Sequence, residues 1–276
     1  MSVVVNTNVS SINAARSMAS NRVDLEQAMQ RLSSGKRLNS SRDDAAGMSV
    51  VTRMTSQIQG LNMAVRNAND GISMANTYDG AAEEVGNVLT RMRELAVQMS
   101  NGTYATADRT NADKEFQALS SEIDRIADHT RWNGDVITNT TAGLTTALQV
   151  DANDNSTGNI DLTFASLKSA DLGLSSDAVD TDAKALTAIG NIDAALSALN
   201  DNRSAVGSVV NRLEHTVSVL MNTVQRTEES RSRVQDTDFA VESANLARAN
   251  VLSQAGTAML AQANQAPQYV LQLLRG

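Results

Sequence analysis

The feature that most constrains the fold of this chain is a stripe of apolar residues over residues 189–224, which recurs in alternating steps of three and four. Such spacing places apolar side chains on one face of an α-helix. At about 1.5 Å of rise per residue, the helix would be a rod of roughly 50 Å. The stripe comprises Ile189, Ile192, Leu196, Leu199, Arg203, Val206, Val210, Leu213, Val217, Leu220 and Val224, of which only Arg203 is polar. The sequence therefore predicts a long helix that packs side by side with others.

A second stripe of the same spacing runs over residues 58–99. Its segment 69–71, Asn-Asp-Gly, would ordinarily predict a turn. We expect the helix to continue instead, because the stripe keeps its phase from Ala68 to Ile72. The two stripes supply the predicted assembly seam, which comprises Ile58, Leu61, Val65, Ile72, Leu89, Met92, Leu196, Leu199, Val210, Leu213, Val217 and Leu220.

Shorter helical patterns lie on either side of these stripes. Residues 8–33 predict a helix that ends before Gly35, and the serines at 40 and 41 are predicted to cap the helix that follows. After a break at Asn101-Gly102, apolar residues at 116, 119, 123 and 126 predict a third helix of a bundle. The Ala-rich segment 236–266 carries apolar residues on several faces, so it is expected to have neighbours on more than one side.

The middle of the chain, residues 131–185, differs from both halves. Trp132-Asn133-Gly134 predicts a turn, and the segments 144–150 and 159–164 are predicted to pair as a short hairpin. The fold class is therefore mainly α, with long helices packed as a coiled coil and a bundle around a small β-hairpin insert.

Composition limits the function classes. Only 3% of the residues are aromatic and none is Cys, which favours narrow helical seams and excludes disulfides and thiolate sites. The formal net charge of −8 argues against general binding of nucleic acid. No apolar run is long enough to span a membrane, and the first residues do not resemble a cleavable signal peptide. If the chain leaves the cell, we expect it to do so without such a signal.

We find no residues that predict catalysis or a cofactor. Asp151, Asn153, Asn155 and Thr157 have calcium-loop spacing, but the Gly and Glu that such a loop needs are replaced by Ser and Leu, so a hairpin loop is favoured. The two histidines, at 129 and 215, form no zinc motif, and His215 is expected on a solvated face. The acids Asp43 and Asp44 are interpreted as first-turn residues of a helix. The chain is predicted not to be an enzyme, with no cofactor or metal.

Several motifs resemble those of bacterial flagellin. The N-terminal half carries RLSSGKRLN at 31–39, DDAAG at 43–47, QIQGL at 57–61, NANDGIS at 67–73, RELAVQ at 93–98 and WNG at 132–134. The C-terminal end carries RVQDTDFA at 233–240, QAG at 254–256, LAQANQ at 260–265, then Pro267 and LLR at 273–275. The resemblance covers roughly residues 1–135 and 186–276, and the middle is short.

The resemblance implies a structural subunit that polymerises into the flagellar filament used for swimming. Residues 1–43 with 231–276 would form the coiled coil of the inner tube, and residues 44–230 the outer-tube bundle with the insert. It further implies type III export to an extracellular filament, an export chaperone on the C-terminal helix, and contacts with cap and hook-junction proteins. The alternatives are a hook-filament junction protein and a coiled-coil scaffold with no flagellar role.

A possible contact with an animal host also follows from the resemblance. Arg91, Leu95 and Glu115 match positions at which many flagellins are bound by the Toll-like receptor for flagellin. By spacing alone, Leu95 could equally pack inside the subunit, because it lies one residue from the seam at Ala96. The resemblance favours an exposed Leu95 beside Arg91.

Overall fold

The computed structural model describes residues 7–140, 143–152 and 158–273. It is mainly α, with two small antiparallel hairpins, as the sequence predicts. The helices are α1 (Val9–Ser34), α2 (Ala45–Met99), α3 (Thr106–His129), α4 (Asp182–Gln235) and α5 (Phe239–Leu273). The strands are β1 (Arg131–Trp132), β2 (Asp135–Val136), β3 (Leu144–Gln149) and β4 (Asn159–Phe164). Residues 1–6 and 274–276 of the predicted inner-tube segments lie outside the described residues.

The predicted continuity of α2 through residues 69–71 is confirmed, since the helix is unbroken from Ala45 to Met99. Ala68 and Ala75, on either side of the segment, are fully buried. The burial gained by keeping both on the packed face of one helix outweighs the local preference for a turn. The described chain forms two compact units. One comprises the described residues of Met1–Ser56 and Arg226–Gly276, and the other those of Gln57–Gln225.

The first unit contains a pair of antiparallel helices, α1 and α5. Asn8, at the start of α1, donates its side-chain amide to the carbonyl oxygen of Ala263 at 2.7 Å. Near the other end of α1, Arg31 lies 3.9 Å from Glu242 in the first turn of α5. A side chain at Gly256 would press on Met18, so this glycine lets the two helices approach closely.

Backbone hydrogen bonds join the segment after α1 to the end of α4 and the residues that follow it. Gly35 ends α1 in the left-handed conformation, at φ 69°, as its predicted position after the helix requires. The Arg37 N–H donates to the carbonyl of Gln235 at 2.7 Å, and the Thr237 N–H donates to the carbonyl of Gly35 at 3.1 Å. Two segments about two hundred residues apart in sequence are thereby held together.

The prediction that Ser40 or Ser41 caps α2 is wrong. The helix begins at Ala45, so Asp44 precedes it, and the Asp44 carboxylate accepts the N–H of Gly47 at 2.9 Å. Asp43 is likewise not in the first turn. Its carboxylate accepts the backbone N–H of Ser40 at 2.9 Å, and these bonds from Ser40 and Asn39 lower the pKa of Asp43. The paired acids cap α2 and close the loop before it.

The second unit is a bundle of α2, α3 and α4 that encloses a continuous core. Tyr78 and Phe164 stack at its centre with ring centroids 4.8 Å apart. The Tyr78 hydroxyl donates to the carbonyl of Ala165 at 3.1 Å, and burial raises the pKa of Tyr78 to about 12. Leu, Ile, Val, Met and Ala side chains fill most of the remaining core, which explains how so few aromatic residues suffice.

Both hairpins form where the sequence predicts a turn or a strand pair. Asn133 and Gly134 take positive φ values of 50° and 94° between β1 and β2, the backbone of a tight hairpin turn. Strands β3 and β4 pair from Leu144 opposite Phe164 to Gln149 opposite Asn159, which confirms the predicted hairpin. The calcium-loop positions Asn153, Asn155 and Thr157 lie outside the described residues.

The β3–β4 hairpin rests on α2 at two glycines and one asparagine. Asn67 donates its side-chain amide to the carbonyl of Gln149 at 3.0 Å. A Cβ at Gly71 would collide with the Cδ1 atom of Leu148, and one at Gly60 would press on Ala152. The 67–73 motif therefore forms part of the surface of α2 against which the hairpin packs.

We expect Gly71→Ala to lower the free energy of unfolding by about 1–3 kcal/mol, because Leu148 must move out of its packed position. Gly80→Ala is the matched control on the same helix, where an added Cβ meets nothing within 4 Å. That control should stabilise by about 0.5–1 kcal/mol through its better helix propensity. Urea unfolding of both variants measures the difference. Equal changes in the free energy of unfolding would mean that the hairpin does not pack closely on Gly71.

Candidate assembly surfaces

The twelve residues of the predicted assembly seam all lie in the second unit, and none is exposed. Those buried are Ile58, Leu61, Leu89, Met92, Leu199, Leu213 and Leu220, and those half-buried are Val65, Ile72, Leu196, Val210 and Val217. Most of them pack into the unit's own clusters: Leu213 joins Ala68, Val150 and Ile160, and Leu220 joins Leu61 and Ala64. Residues packed in this way hold the bundle together.

The one polar member of the stripe, Arg203, is paired across the helices. Its guanidinium donates to both carboxylate oxygens of Asp79, at 2.7 and 3.3 Å. These hydrogen bonds raise the pKa of Arg203. Because both side chains are partly exposed, the pair contributes about 1 kcal/mol or less to stability. Its two hydrogen bonds connect α2 with α4.

Large apolar side chains are exposed along both helices of the first unit. On α1 they are Val9, Ile12, Val23 and Met29, and on α5 they are Phe239, Val241, Val251, Leu252 and Met259. Val251 and Met259 are each 64% exposed. Exposed apolar side chains in such number on two paired helices are a feature of interfaces with another protein. The sequence indicated apolar residues on several faces of these segments, but only the pairing of α1 with α5 shows which of them remain uncovered.

One charged pair lies within the α1–α5 contact. Glu242 is buried, and Arg31 approaches it with one guanidinium nitrogen while its Nε has no hydrogen-bond partner. Charges in a helix–helix seam disfavour shifted registers, in which they would be left without a partner. The pair thus helps to specify how α1 aligns with α5.

Two of the three candidate receptor residues meet at the surface of the second unit. Exposed Arg91 bonds to Glu115 at 2.9 Å and to Glu94 at 3.1 Å, and these hydrogen bonds, that with Glu115 foremost, raise the pKa of Arg91. Leu95 is only 3% exposed, so the expectation of an exposed leucine beside Arg91 is wrong. On α2, Leu95 is therefore buried together with its neighbour Ala96, which is 0% exposed.

Neither histidine of the described residues lies in a cluster that could hold a metal ion. His215 is exposed, as predicted, and His129 lies at the end of α3 with its ring nitrogen against the carbonyl of Arg125. Within the described ranges, no three His, Cys, Asp or Glu side chains are grouped to hold a metal ion. None of the helices in those ranges combines the length and the hydrophobicity needed to cross a bilayer.

Two family descriptions match the chain at its two ends. Residues 5–142 match the bacterial flagellin N-terminal helical region, and residues 189–274 match the bacterial flagellin C-terminal helical region. Between them lies the segment with β3, β4 and the start of α4, which is the part that the sequence motifs cover least.

Similar proteins extend over the full length. The chain is 43% identical over 273 residues to the flagellin of Halalkalibacterium halodurans, covering 99% of this chain and 100% of that one. It is 38% identical over 286 residues to the flagellar filament 33 kDa core protein of Treponema phagedenis, covering 99% and 100%. The crystal structure of Bacillus cereus flagellin is 34% identical, with a TM-score of 0.49, and covers 56% of this chain and 88% of that one. The chain therefore belongs to the bacterial flagellins, the structural subunits of the extracellular flagellar filament, and not to a family of enzymes.

Proposed function

We propose that the exposed apolar faces of α1 and α5 form the main contacts between subunits when the chain polymerises into the filament. In this proposal residues 1–43 with 231–276 build the inner tube, and residues 44–230 form the outer-tube bundle. The observation that supports it is the set of large apolar side chains left uncovered on both helices of the first unit. Burying each of them against another copy would contribute about 1 kcal/mol or more.

A filament needs two different surfaces that meet head to tail without closing into a ring. The α1–α5 pair satisfies this requirement, because its two helices carry different exposed residues: Val9 and Val23 on one, and Val251 and Met259 on the other. The predicted assembly seam contributes indirectly, since it keeps the bundle rigid while the terminal helices make contacts.

Seeded growth tests this proposal. Purified chain should extend sheared flagellar filaments, whereas Val251→Asp should extend them at least about tenfold more slowly, because a charge would be buried in the contact. Asn250→Asp, at the neighbouring exposed position of α5, adds the same charge and is the matched control. Equal growth by both variants would contradict the assigned surface. A coiled-coil scaffold would not extend seeds at all, and a hook-junction protein would bind an end without further growth.

The further partners are also proposals. We infer that an export chaperone covers the C-terminal helix before export, because Val251 and Met259 would otherwise stay exposed to water. Type III secretion, and contacts with the filament cap and the hook-junction proteins, follow from the resemblance to flagellins. Each of these partners would contact apolar side chains of α1 or α5 that are exposed in the monomer.

For a host that carries the Toll-like receptor for flagellin, we propose that Arg91 with Glu115 forms the centre of the receptor contact. Exposure of both side chains and their 2.9 Å ion pair support this assignment. Leu95 would act from beneath by holding α2 in place, since it is buried. An arginine of fixed geometry is a frequent hot spot in interfaces.

Reporter cells given purified monomer test the receptor contact. Arg91→Ala should lower the response about tenfold or more. Arg93→Ala is the matched control, because Arg93 lies on the same helix, is exposed and forms a comparable ion pair with Asp193 at 2.7 Å. Leu95→Ala should reduce signalling only as far as it reduces folding, measured by circular dichroism. A response to Arg91→Ala equal to that of the control would remove the residue from the contact.

A further inference from the structure

A groove of about 390 Å³ lies in the second unit between α2 and the two hairpins. Met74, Trp132, Leu144 and Leu148 supply much of its apolar lining. Among the described lining residues, only Asp70 and Asp135 carry charge, and both are acidic. An occupant that suits this groove is an apolar side chain accompanied by a cation.

The same unit exposes such a combination on another helix. Arg212, His215 and Val219 follow each other on α4 in steps of three and four, so they share one face. Val219 is 63% exposed, and Arg212 forms no ion pair with the described residues. We call these three residues the Arg212 patch. No residue of α4 lines the groove, so the groove and the Arg212 patch are separate surfaces.

We propose that the groove receives the Arg212 patch of a second copy of this chain, with Val219 in the apolar floor and Arg212 against Asp135. The inference rests on the proposed function, because it names a second contact of the same filament. Two separate surfaces that fit each other give a head-to-tail contact, which propagates instead of closing as a dimer. Opposite charges at the rim would guide approach and fix the register of the contact.

The other exposed apolar residues of this unit fit the groove less well. The faces of Leu186 and Met221 include the acids Asp182 and Glu214, which would meet an acidic rim. Val97 has Arg93 on its face, but that guanidinium is already paired with Asp193 at 2.7 Å. Arg66 lies beside Met63, but both share one face of α2 with Asp70, which itself lines the groove. A contact through Met63 would therefore bring the same surface of two copies together and close as a dimer.

Charge exchange tests the proposal by seeded growth on sheared filaments. Asp135→Lys and Arg212→Glu should each slow elongation about tenfold or more, because like charges would face each other. The double variant should recover most of the native rate, since the charges are opposite again. Asp161→Lys is the matched control: Asp161 is exposed on β4 opposite Ala147, on the hairpin face away from the groove-lining Thr146, and its substitution should leave the rate unchanged. A double variant no faster than the slower single variant would overturn the proposal.

Because the chain contains no Cys, a disulfide reports the contact directly. Filaments of the variant that combines Asp135→Cys with Arg212→Cys should give a ladder of linked subunits after oxidation, and monomer should not. The pair Asp161→Cys with Arg212→Cys should give none. Filaments that form normally without a ladder would overturn the contact and leave the proposed function intact. Failure of the native chain to extend seeds would overturn both.

Discussion

A chain without residues 1–40 and 236–276 is expected to stay folded and soluble but to lose polymerisation completely. The truncation removes α1 and the whole of α5, and with them the exposed apolar side chains of these two helices. The core around Tyr78, Leu89 and Phe116 lies entirely in the remaining bundle. Seeded growth followed by light scattering and electron microscopy measures the loss, and circular dichroism measures the helical content that remains.

Single-end deletions test whether α1 and α5 protect each other's apolar inner faces. Because α1 and α5 pair with each other, removal of either one should uncover the inner face of the other, including Ala28 on α1 or Ala249 on α5. Each single deletion should therefore also abolish growth and should promote non-specific association. Filament growth by the doubly truncated chain would refute the assignment of the terminal helices to the subunit contact.

The second large effect is expected at Leu213, which is fully buried in α4. Leu213→Ala should lower the free energy of unfolding by about 2–4 kcal/mol, because the leucine fills the space between Ala68, Val150 and Ile160. The loss combines the transfer free energy of the removed methyl groups with the cost of the cavity that remains. Urea or thermal unfolding of the monomer measures it directly.

Leu186→Ala is the matched control for this substitution. It makes the same chemical change on the same helix, at a position that is 62% exposed. We expect it to change the free energy of unfolding by about 0.5 kcal/mol or less. Similar losses at Leu186 and Leu213 would mean that the seam residue is not packed as described.

Much of the fold was predictable from local sequence. The phase of the apolar stripe correctly carried α2 through the Asn-Asp-Gly segment, and alternation and turn residues located the hairpin between residues 144 and 164. Such features depend on periodicity within a few turns of helix or a few residues of strand. A stripe that runs over residues 58–99 repeats this signal many times, so a single unfavourable tripeptide does not outweigh it.

Other features depend on which segments become neighbours. Leu95 is buried although it lies one residue from the predicted stripe, and the partner of Arg203 is Asp79, more than a hundred residues away. The cap of α2 depends on the residue at which the helix begins, and a shift of a few residues exchanges Ser40 for Asp44.

Local periodicity and motifs were sufficient to predict the helical class of this protein, the phase of its main helices, its hairpin and its kinship with flagellins, whereas α4 extends beyond the predicted stripe to Asp182–Gln235. Which apolar side chains are buried within the subunit and which stay exposed became clear from the packing of the helices. The physical reason is that periodicity assigns a residue to a face of its own helix, whereas burial depends on whether another helix covers that face. Val251 and Leu213 are both apolar helical residues, but only Leu213 has neighbours that enclose it.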